Sequence, residues 1–198
     1  MDLILIRHGQ SYANHAGLLI ADSGDGLTAL GIEQSVVLGI TLKKFKVAAD
    51  AYFVSPWKRA LETAQIIFPD SVNEFNIDSR LAETNPGRFG TWLEKDFNNA
   101  YPDFYSDMGA RYEGGESHLD MARRVQNWIS SVVLNSTDRA GVAFVVAHGG
   151  PISIMLQTLL AIPIETRYPS FSVPNASFSV LRWCGDKSRF VAERIGQT

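Results

Sequence analysis

Four basic side chains of this sequence each lie within a few residues of the end of a short apolar run. They are Arg7, His8, Arg59 and His148. Arginine and histidine side chains are suited to bind an oxyanion and to transfer it. Arginine forks match the oxygens of a phosphate group bidentately, and a neutral imidazole is a nucleophile that can form a covalent intermediate. Bringing such side chains together is costly unless an anion neutralises them. The combination therefore predicts a site for a phosphate group.

The residues before these side chains are typical of buried β-strands. Residues 3–6, 51–54 and 142–147 are apolar or nearly apolar runs that end in polar residues. Such runs indicate strands of a parallel sheet that is buried on both faces. Because ligands of these sheets bind outside the carboxyl ends of the strands, we expect the four basic side chains to converge there.

The segments between the strands carry helix start signals. Thr28 is the expected N-cap of one helix, and Ser55 is the expected N-cap of the next, with Pro56 in its first turn. Ser117 and Asp120 are expected to form a capping box at a third helix. The predicted helices span residues 28–46, 55–68, 117–135 and 149–160, and two further predicted strands span residues 178–183 and 190–194.

The order of these elements predicts the fold class. Strands that alternate with helices indicate an α/β protein, here a three-layer α/β/α sandwich with a mostly parallel sheet. The 198 residues, 45% of them hydrophobic, suit one compact domain over residues 1–198. Residues 84–114 are less regular and rich in aromatic and acidic side chains. We expect them to form a small insertion, or cap, with short helices.

Composition and charge exclude several classes of function. The formal net charge of −3 gives no basic excess for a nucleic-acid partner. No apolar stretch approaches the ~20 residues that span a bilayer, and the first apolar run is too short for a signal peptide. The single cysteine, Cys184, permits no internal disulfide. We therefore expect a cytoplasmic monomer or homodimer with no nucleic-acid or membrane partner.

The segment 7–11, which reads Arg-His-Gly-Gln-Ser, resembles the signature of the histidine phosphatase superfamily, which includes the cofactor-dependent phosphoglycerate mutases. The match continues in order along nearly the whole chain, and the ordered set is far more specific than any one motif. In residues 17–22 the chain lacks an arginine and a glutamine that many members use to contact substrate. The other matching positions are Asn14, residues 27–28, Gly31, Gln34, residues 55–64 and 81–83, Gly87, residues 115–117, Arg124, and residues 146–150 and 175–177.

The resemblance implies a phosphoglycerate mutase-like fold and a phosphohistidine intermediate on His8. It also implies that Glu83 protonates the leaving oxygen and then takes a proton from the attacking water. The sequence shows no metal-ligand spacing, His15 and His118 included, and we expect no metal or other cofactor. We expect catalytic roles for His8, Glu83, His148, Arg7 and Arg59, and substrate-binding roles for Gly9, Asn14, Ser55 and Gly149.

The supporting residues differ in their expected contributions. Arg7, Arg59 and His148 are expected to bind the non-bridging oxygens, on which charge spreads in the transition state. Gly9, which has no side chain, is expected to let the backbone approach the phosphate. For Asn175 two roles stay open, ordering a turn or contributing to the site.

Three functions are compatible with these residues: a phosphatase for a small phosphomonoester, a phosphomutase and a non-catalytic phosphate-binding module. A mutase must hold a second phosphate, yet residues 84–114 contain three basic and five acidic side chains. The same segment contains seven aromatic side chains, and any that face the pocket favour an organic leaving group. Because the histidines, arginines and glutamate are all present, the binding module ranks last. The sequence therefore favours the phosphatase.

Overall fold

The computed structural model describes residues 1–20, 22–134, 141–164 and 169–198. Six strands in these residues form one sheet, in the spatial order third, second, fourth, first, fifth, sixth. The first four strands are parallel, the fifth is antiparallel to the first, and the sixth is antiparallel to the fifth. The strands are β1 (Asp2–Arg7), β2 (Ala51–Val54), β3 (Phe75–Ile77), β4 (Val142–Ala147), β5 (Phe178–Cys184) and β6 (Arg189–Gln197).

Helices cover both faces of this sheet, because alternate side chains of the inner strands point to opposite faces. Leu3 and Leu5 belong to the apolar core on one face, and Ile4 and Ile6 belong to the core on the other. Burying each such side chain contributes about 1.5–3 kcal/mol to the free energy of unfolding. Because apolar side chains point to both faces of the sheet, helices must cover both faces. The predicted three-layer α/β/α sandwich is confirmed. The α-helices of the described residues are α1 (Tyr12–Ala16), α2 (Ala29–Lys44), α3 (Lys58–Ile67), α4 (Glu94–Ala100), α5 (His118–Trp128) and α6 (Gly149–Leu159).

Two of the three predicted helix starts are confirmed. The Thr28 hydroxyl accepts a hydrogen bond from the backbone of α2, and Ser117 and Asp120 form the expected capping box of α5. The prediction for Ser55 is wrong, since α3 begins at Lys58 with Trp57 at its N-cap position. The reason is that the Ser55 hydroxyl is engaged elsewhere, by the side chain of a histidine.

Other elements differ from the prediction at their ends. A π-helical segment, Ile129–Leu134, continues α5, and its predicted end at residue 135 lies outside the described residues. The short helix α1 and strand β3 were not predicted, because neither is long enough to show a clear hydrophobic period.

Residues 84–114 form short helical pieces packed around aromatic side chains. Phe89, Phe97 and Tyr112 are buried together, and Phe104 and Tyr105 pack against them. This aromatic cluster fixes one wall above the carboxyl ends of the strands. In the described ranges no helix has the length and apolar character required to cross a bilayer.

Candidate active site

The carboxyl ends of β1, β4 and β2 bring together both predicted histidines and one predicted arginine. These strands are in register up to Arg7 and Val54, so the residues that follow them are neighbours. The ring centroids of His8 and His148 are 4.9 Å apart. The Nε atom of Arg59 lies 3.1 Å from Nε2 of His8. All three side chains are almost completely buried.

Two hydrogen bonds define the tautomer of His8. Its Nδ1 atom lies 2.7 Å from the carbonyl oxygen of Gly9, which can only accept, so Nδ1 carries the proton. Its Nε2 atom accepts from Arg59 and therefore presents a lone pair. Burial, followed by the positive charges of Arg59 and Arg7, lowers the pKa of His8 well below its ordinary value. His8 is thus a neutral imidazole with its nucleophilic nitrogen next to a guanidinium group.

Arg59 supplies a fixed positive charge to the site. Its guanidinium carbon lies 4.5 Å from the centre of the Trp57 ring, and Nη1 lies 3.7 Å from Oδ2 of Asp25. Burial lowers the pKa of Arg59 to about 10, so the group remains cationic at neutral pH. Among the described residues its Nη2 atom has no hydrogen-bond partner. This buried donor is available to an oxyanion.

His148 is held from behind by Ser55. The hydroxyl of Ser55 lies 2.8 Å from Nε2 of His148, and both side chains are fully buried. Burial and the charge of Arg59 lower the pKa of His148 well below its ordinary value, which keeps the ring neutral. Neither residue lies on the cavity wall. Ser55 therefore contacts the second histidine and not the space that a substrate would occupy.

The glycine after His8 serves close packing against α2. A Cβ atom on Gly9 would lie 2.3 Å from the carbonyl oxygen of Gly31, and a Cβ atom on Gly31 would lie 2.0 Å from that of Gln10. Gly9 does not line the cavity. Its missing side chain makes room for α2, and its carbonyl group orients the imidazole of His8.

Arg7 reaches the cavity beside the start of α6. Its Nη1 atom donates to the carbonyl oxygen of Val173. A Cβ atom on Gly149 would lie 3.4 Å from the guanidinium carbon of Arg7, so the glycine leaves room for this side chain. Both Arg7 and Gly149 line the cavity.

Glu83 faces the same space, and backbone groups hold both of its carboxylate oxygens. Oε1 accepts from the backbone N–H of Thr84 at 2.9 Å, and Oε2 accepts from that of Gly150 at 3.2 Å. The guanidinium of Arg124 donates to the carbonyl oxygen of Glu83 at 3.0 Å and forms an ion pair with Glu116. This network ties the segment of Glu83 to α5 through Arg124 and to the first turn of α6 through Gly150.

A cavity of about 350 Å³ lies in front of these groups, within the ordinary size range of small-molecule sites. Asn14 is part of its wall, and its Oδ1 atom accepts a hydrogen bond of 3.2 Å from Asn175. Asn175 also donates to the carbonyl oxygen of His8, so it supports the segment of the nucleophile. The predicted site residues on the wall are Arg7, His8, Asn14, Arg59, Glu83 and Gly149.

The rest of the cavity wall, here called the outer wall, contains residues that were not among the predicted site residues. Three of them, Leu18, Leu19 and Ile20, replace the polar contacts that the family comparison leads one to expect in residues 17–22. The aromatic composition of residues 84–114 left open whether any of its rings face the pocket, and the structure places two of them, Tyr105 and Tyr112, on the wall. The further wall residues from that side are Pro86, Glu94, Tyr105, Tyr112 and His118.

The described residues include no group of three or more histidine, cysteine, aspartate or glutamate side chains arranged to hold a metal ion. The charged centre of the site is instead formed by two guanidinium groups around two neutral imidazoles.

A mixed α/β sandwich with two histidines and two arginines at the ends of its strands is typical of proteins that transfer phosphoryl groups. Comparisons with known proteins identify the family. The sequence profile of the histidine phosphatase superfamily (branch 1) matches residues 3–195. The chain belongs to this superfamily, as predicted.

Relatives within the superfamily include phosphatases and mutases. A glucosyl-3-phosphoglycerate phosphatase of Mycolicibacterium vanbaalenii is 29% identical over 89% of this chain and 81% of that protein. A 2,3-bisphosphoglycerate-dependent phosphoglycerate mutase of Thermoplasma acidophilum is 31% identical over 90% of this chain and 85% of that one. The crystal structure of the alpha-ribazole phosphatase of Shigella flexneri has a TM-score of 0.86 at 26% identity, covering 100% of this chain and 96% of that chain. The predicted phosphoglycerate mutase-like fold is confirmed.

Proposed function

We propose that this protein is a phosphatase that hydrolyses a small phosphomonoester through a phosphohistidine on His8. The observation that carries the proposal is the state of that imidazole. Its Nδ1–H is held by the Gly9 carbonyl group, and its Nε2 lone pair faces a buried guanidinium. A neutral, oriented imidazole beside a fixed cation is suited to attack the phosphorus atom of a bound dianion.

The reaction proceeds in two displacements on phosphorus. In the first, Nε2 of His8 forms a bond to phosphorus as the ester oxygen leaves, and the Glu83 carboxylic acid gives that oxygen a proton. In the second, water attacks the phosphohistidine and transfers a proton to the Glu83 carboxylate, which releases inorganic phosphate and restores His8. Arg7 and Arg59 neutralise the charge on the non-bridging oxygens in both steps. No metal is required for this scheme.

The placement of the basic residues in segment 84–114 supports a phosphatase over a mutase. Arg88 pairs with Glu113 at 2.8 Å, and Arg111 pairs with Asp120 at 2.5 Å. Neither arginine lines the cavity, and Lys95 does not line it either. The two arginines are therefore directed to other partners, and none of the three basic side chains provides a second phosphate site on the cavity wall.

The names of relatives support the same choice and a small-molecule substrate. One relative is named as a glucosyl-3-phosphoglycerate phosphatase and another, from Escherichia coli, as an adenosylcobalamin/alpha-ribazole phosphatase, while the Thermoplasma acidophilum relative is named as a mutase. The substrate of this chain is defined further by the outer wall of its cavity.

The test is the turnover of p-nitrophenyl phosphate by His8→Ala, with His15→Ala as the matched control. His15 is an exposed histidine near the end of α1 and does not line the cavity. We expect loss of turnover and of acid-labile phosphoenzyme in the first variant and wild-type values in the second. Appreciable turnover by His8→Ala would refute the nucleophile. EDTA should leave the wild-type rate unchanged, and a metal requirement would refute the metal-free scheme.

A further inference from the structure

The cavity has a marked asymmetry of charge between its inner and outer ends. Both guanidinium groups of its described wall, those of Arg7 and Arg59, lie at the inner end with His8. Besides Arg7, Arg59 and the proposed acid Glu83, the charged side chain of the described wall is Glu94, an exposed residue at the start of α4 that marks the outer end of the cavity. A substrate phosphate bound at the inner end would therefore extend its organic part toward a carboxylate.

The other outer residues do not offset this negative charge. His118 is 3% exposed, and burial lowers the pKa of its imidazole to about 4, so the ring is neutral at neutral pH. The hydroxyl groups of Tyr105 and Tyr112 lie 3.1 Å apart and bond to each other. Burial raises the pKa of Tyr105, and the charge of Glu94 adds to this effect, which places the carboxylate within electrostatic reach of that hydroxyl.

Part of the remaining wall is apolar. Leu18, Leu19 and Ile20 line it from one side, and Phe171 lines it from another. A leaving group with a ring or another apolar body would bury surface against these side chains. A carboxylate or second phosphate on the leaving group would instead face Glu94, and the described cations of the wall, Arg7 and Arg59, would be occupied by the first phosphate.

We propose that Glu94 is a specificity-determining residue, which makes the enzyme favour phosphomonoesters with a neutral or cationic organic part over those with a second anionic group. The proposal rests on the proposed phosphatase function and adds a substrate class to it. Glu94 stands apart from the groups that carry out the chemistry, so it acts on the binding of the leaving group.

A purely structural role for Glu94 would have a different signature. Glu94 and Asp96 are the two acidic residues in the first turn of α4, where negative charge favours the positive end of the helix dipole. Asp96 is exposed and does not line the cavity. Asp96→Asn is therefore a matched control that removes the same charge from the same helix turn.

The experiment compares kcat/KM for three synthetic esters: phenyl phosphate, 4-(aminomethyl)phenyl phosphate and 4-(carboxymethyl)phenyl phosphate. The methylene groups insulate the phenol oxygen from the substituent, so the three leaving groups have similar reactivity. In the wild-type protein we expect the aminomethyl ester to exceed the carboxymethyl ester, mainly through KM. Raising the salt concentration should reduce this preference, because the charges interact through solvent.

Glu94→Gln should shift the ratio of the aminomethyl to the carboxymethyl ester toward the latter by roughly 3- to 10-fold, the range for one charge several ångströms away. Asp96→Asn should leave the ratio at the wild-type value. An unchanged ratio in Glu94→Gln, or an equal shift in both variants, would overturn the proposal. If hydrolysis of phenyl phosphate requires His8 but Glu94→Gln leaves the ratio of the aminomethyl to the carboxymethyl ester unchanged, only the specificity proposal fails. If the wild-type protein hydrolyses none of the esters, the phosphatase proposal fails with it.

Discussion

The Nε–H group of Arg59 donates to Nε2 of His8, so the guanidinium occupies the same lone pair that must attack phosphorus. An incoming phosphate offers Arg59 charged oxygens, which form stronger hydrogen bonds than a neutral imidazole does. Binding of substrate would thus transfer the arginine to the phosphate and release the nucleophile in one step. In the proposed mechanism, this pairing would protect the nucleophilic nitrogen in the free enzyme and tie its release to substrate binding.

Arg59→Lys should therefore impair both functions of this side chain. A lysine keeps the charge but lacks the planar fork that can hold two phosphate oxygens. We expect kcat/KM for p-nitrophenyl phosphate to fall by roughly 10²–10³-fold, the range for loss of a preorganised donor, with weaker inhibition by inorganic phosphate. Arg182→Lys, which alters an exposed arginine of β5 away from the cavity, should match the wild type. A fall of less than about threefold in Arg59→Lys would show that charge alone suffices.

Glu83→Gln should separate esters by the quality of their leaving groups. The carboxylate accepts backbone hydrogen bonds at both oxygens, so its position in the cavity is fixed before substrate arrives. Loss of a general acid costs roughly 10²–10⁴-fold where the leaving alkoxide needs a proton and much less where it does not. We expect alkyl phosphates to slow far more than p-nitrophenyl phosphate, measured as kcat for a series of esters.

Glu113→Gln provides the control for Glu83, since it alters an exposed glutamate that pairs with Arg88 outside the cavity. It should leave the leaving-group dependence unchanged. Equal slowing of alkyl and aryl esters in Glu83→Gln would argue against the acid role.

Gly31→Ala should reveal how closely α2 is packed against the segment of the nucleophile. The added Cβ would lie 2.0 Å from the carbonyl oxygen of Gln10, so one of the two backbones must move. Overpacking of this kind typically costs about 1–3 kcal/mol of unfolding free energy, and here it would also displace His8. We expect a lower urea midpoint together with a lower kcat. Gly185→Ala adds the same methyl group where no atom lies within 4 Å, and should change neither quantity. A wild-type midpoint for Gly31→Ala would show that the contact can relax.

The sheet and the inner site could be predicted because their signals are local and strong. The runs that became β2 and β4 have the predicted bounds, since a buried strand must be apolar along its whole length. Arg7, His8 and Arg59 lie at or after the ends of such strands, whereas Glu83 is expected only from the resemblance to the superfamily; all four line one cavity.

The hydrogen-bond and packing partners of individual side chains could not be predicted from the sequence in the same way. Ser55 precedes a proline and looks like a helix cap, but its hydroxyl bonds to His148, which is distant in sequence. Gly9 looked like a phosphate-binding glycine because the sequence cannot show that α2 lies against it. The outer wall was missed for the same reason, since periodicity does not tell which aromatic or acidic residues of 84–114 face inward.

His118 was set aside in the sequence, yet it is buried in the aromatic wall, and this predicts a measurable effect of pH on stability. Burial lowers the pKa of its imidazole from 6.5 to about 4, so between these values the unfolded chain binds a proton that the folded chain does not. Stability must therefore fall as the pH drops below 6.5. When the pH is lowered from about 7 to about 5, the free energy of unfolding measured in urea should fall for both proteins. The fall should be about 2 kcal/mol smaller for His118→Phe than for the wild type. His15→Phe, which alters an exposed histidine, should lose as much as the wild type. Equal losses in all three proteins would mean that His118 accepts a proton in the folded state.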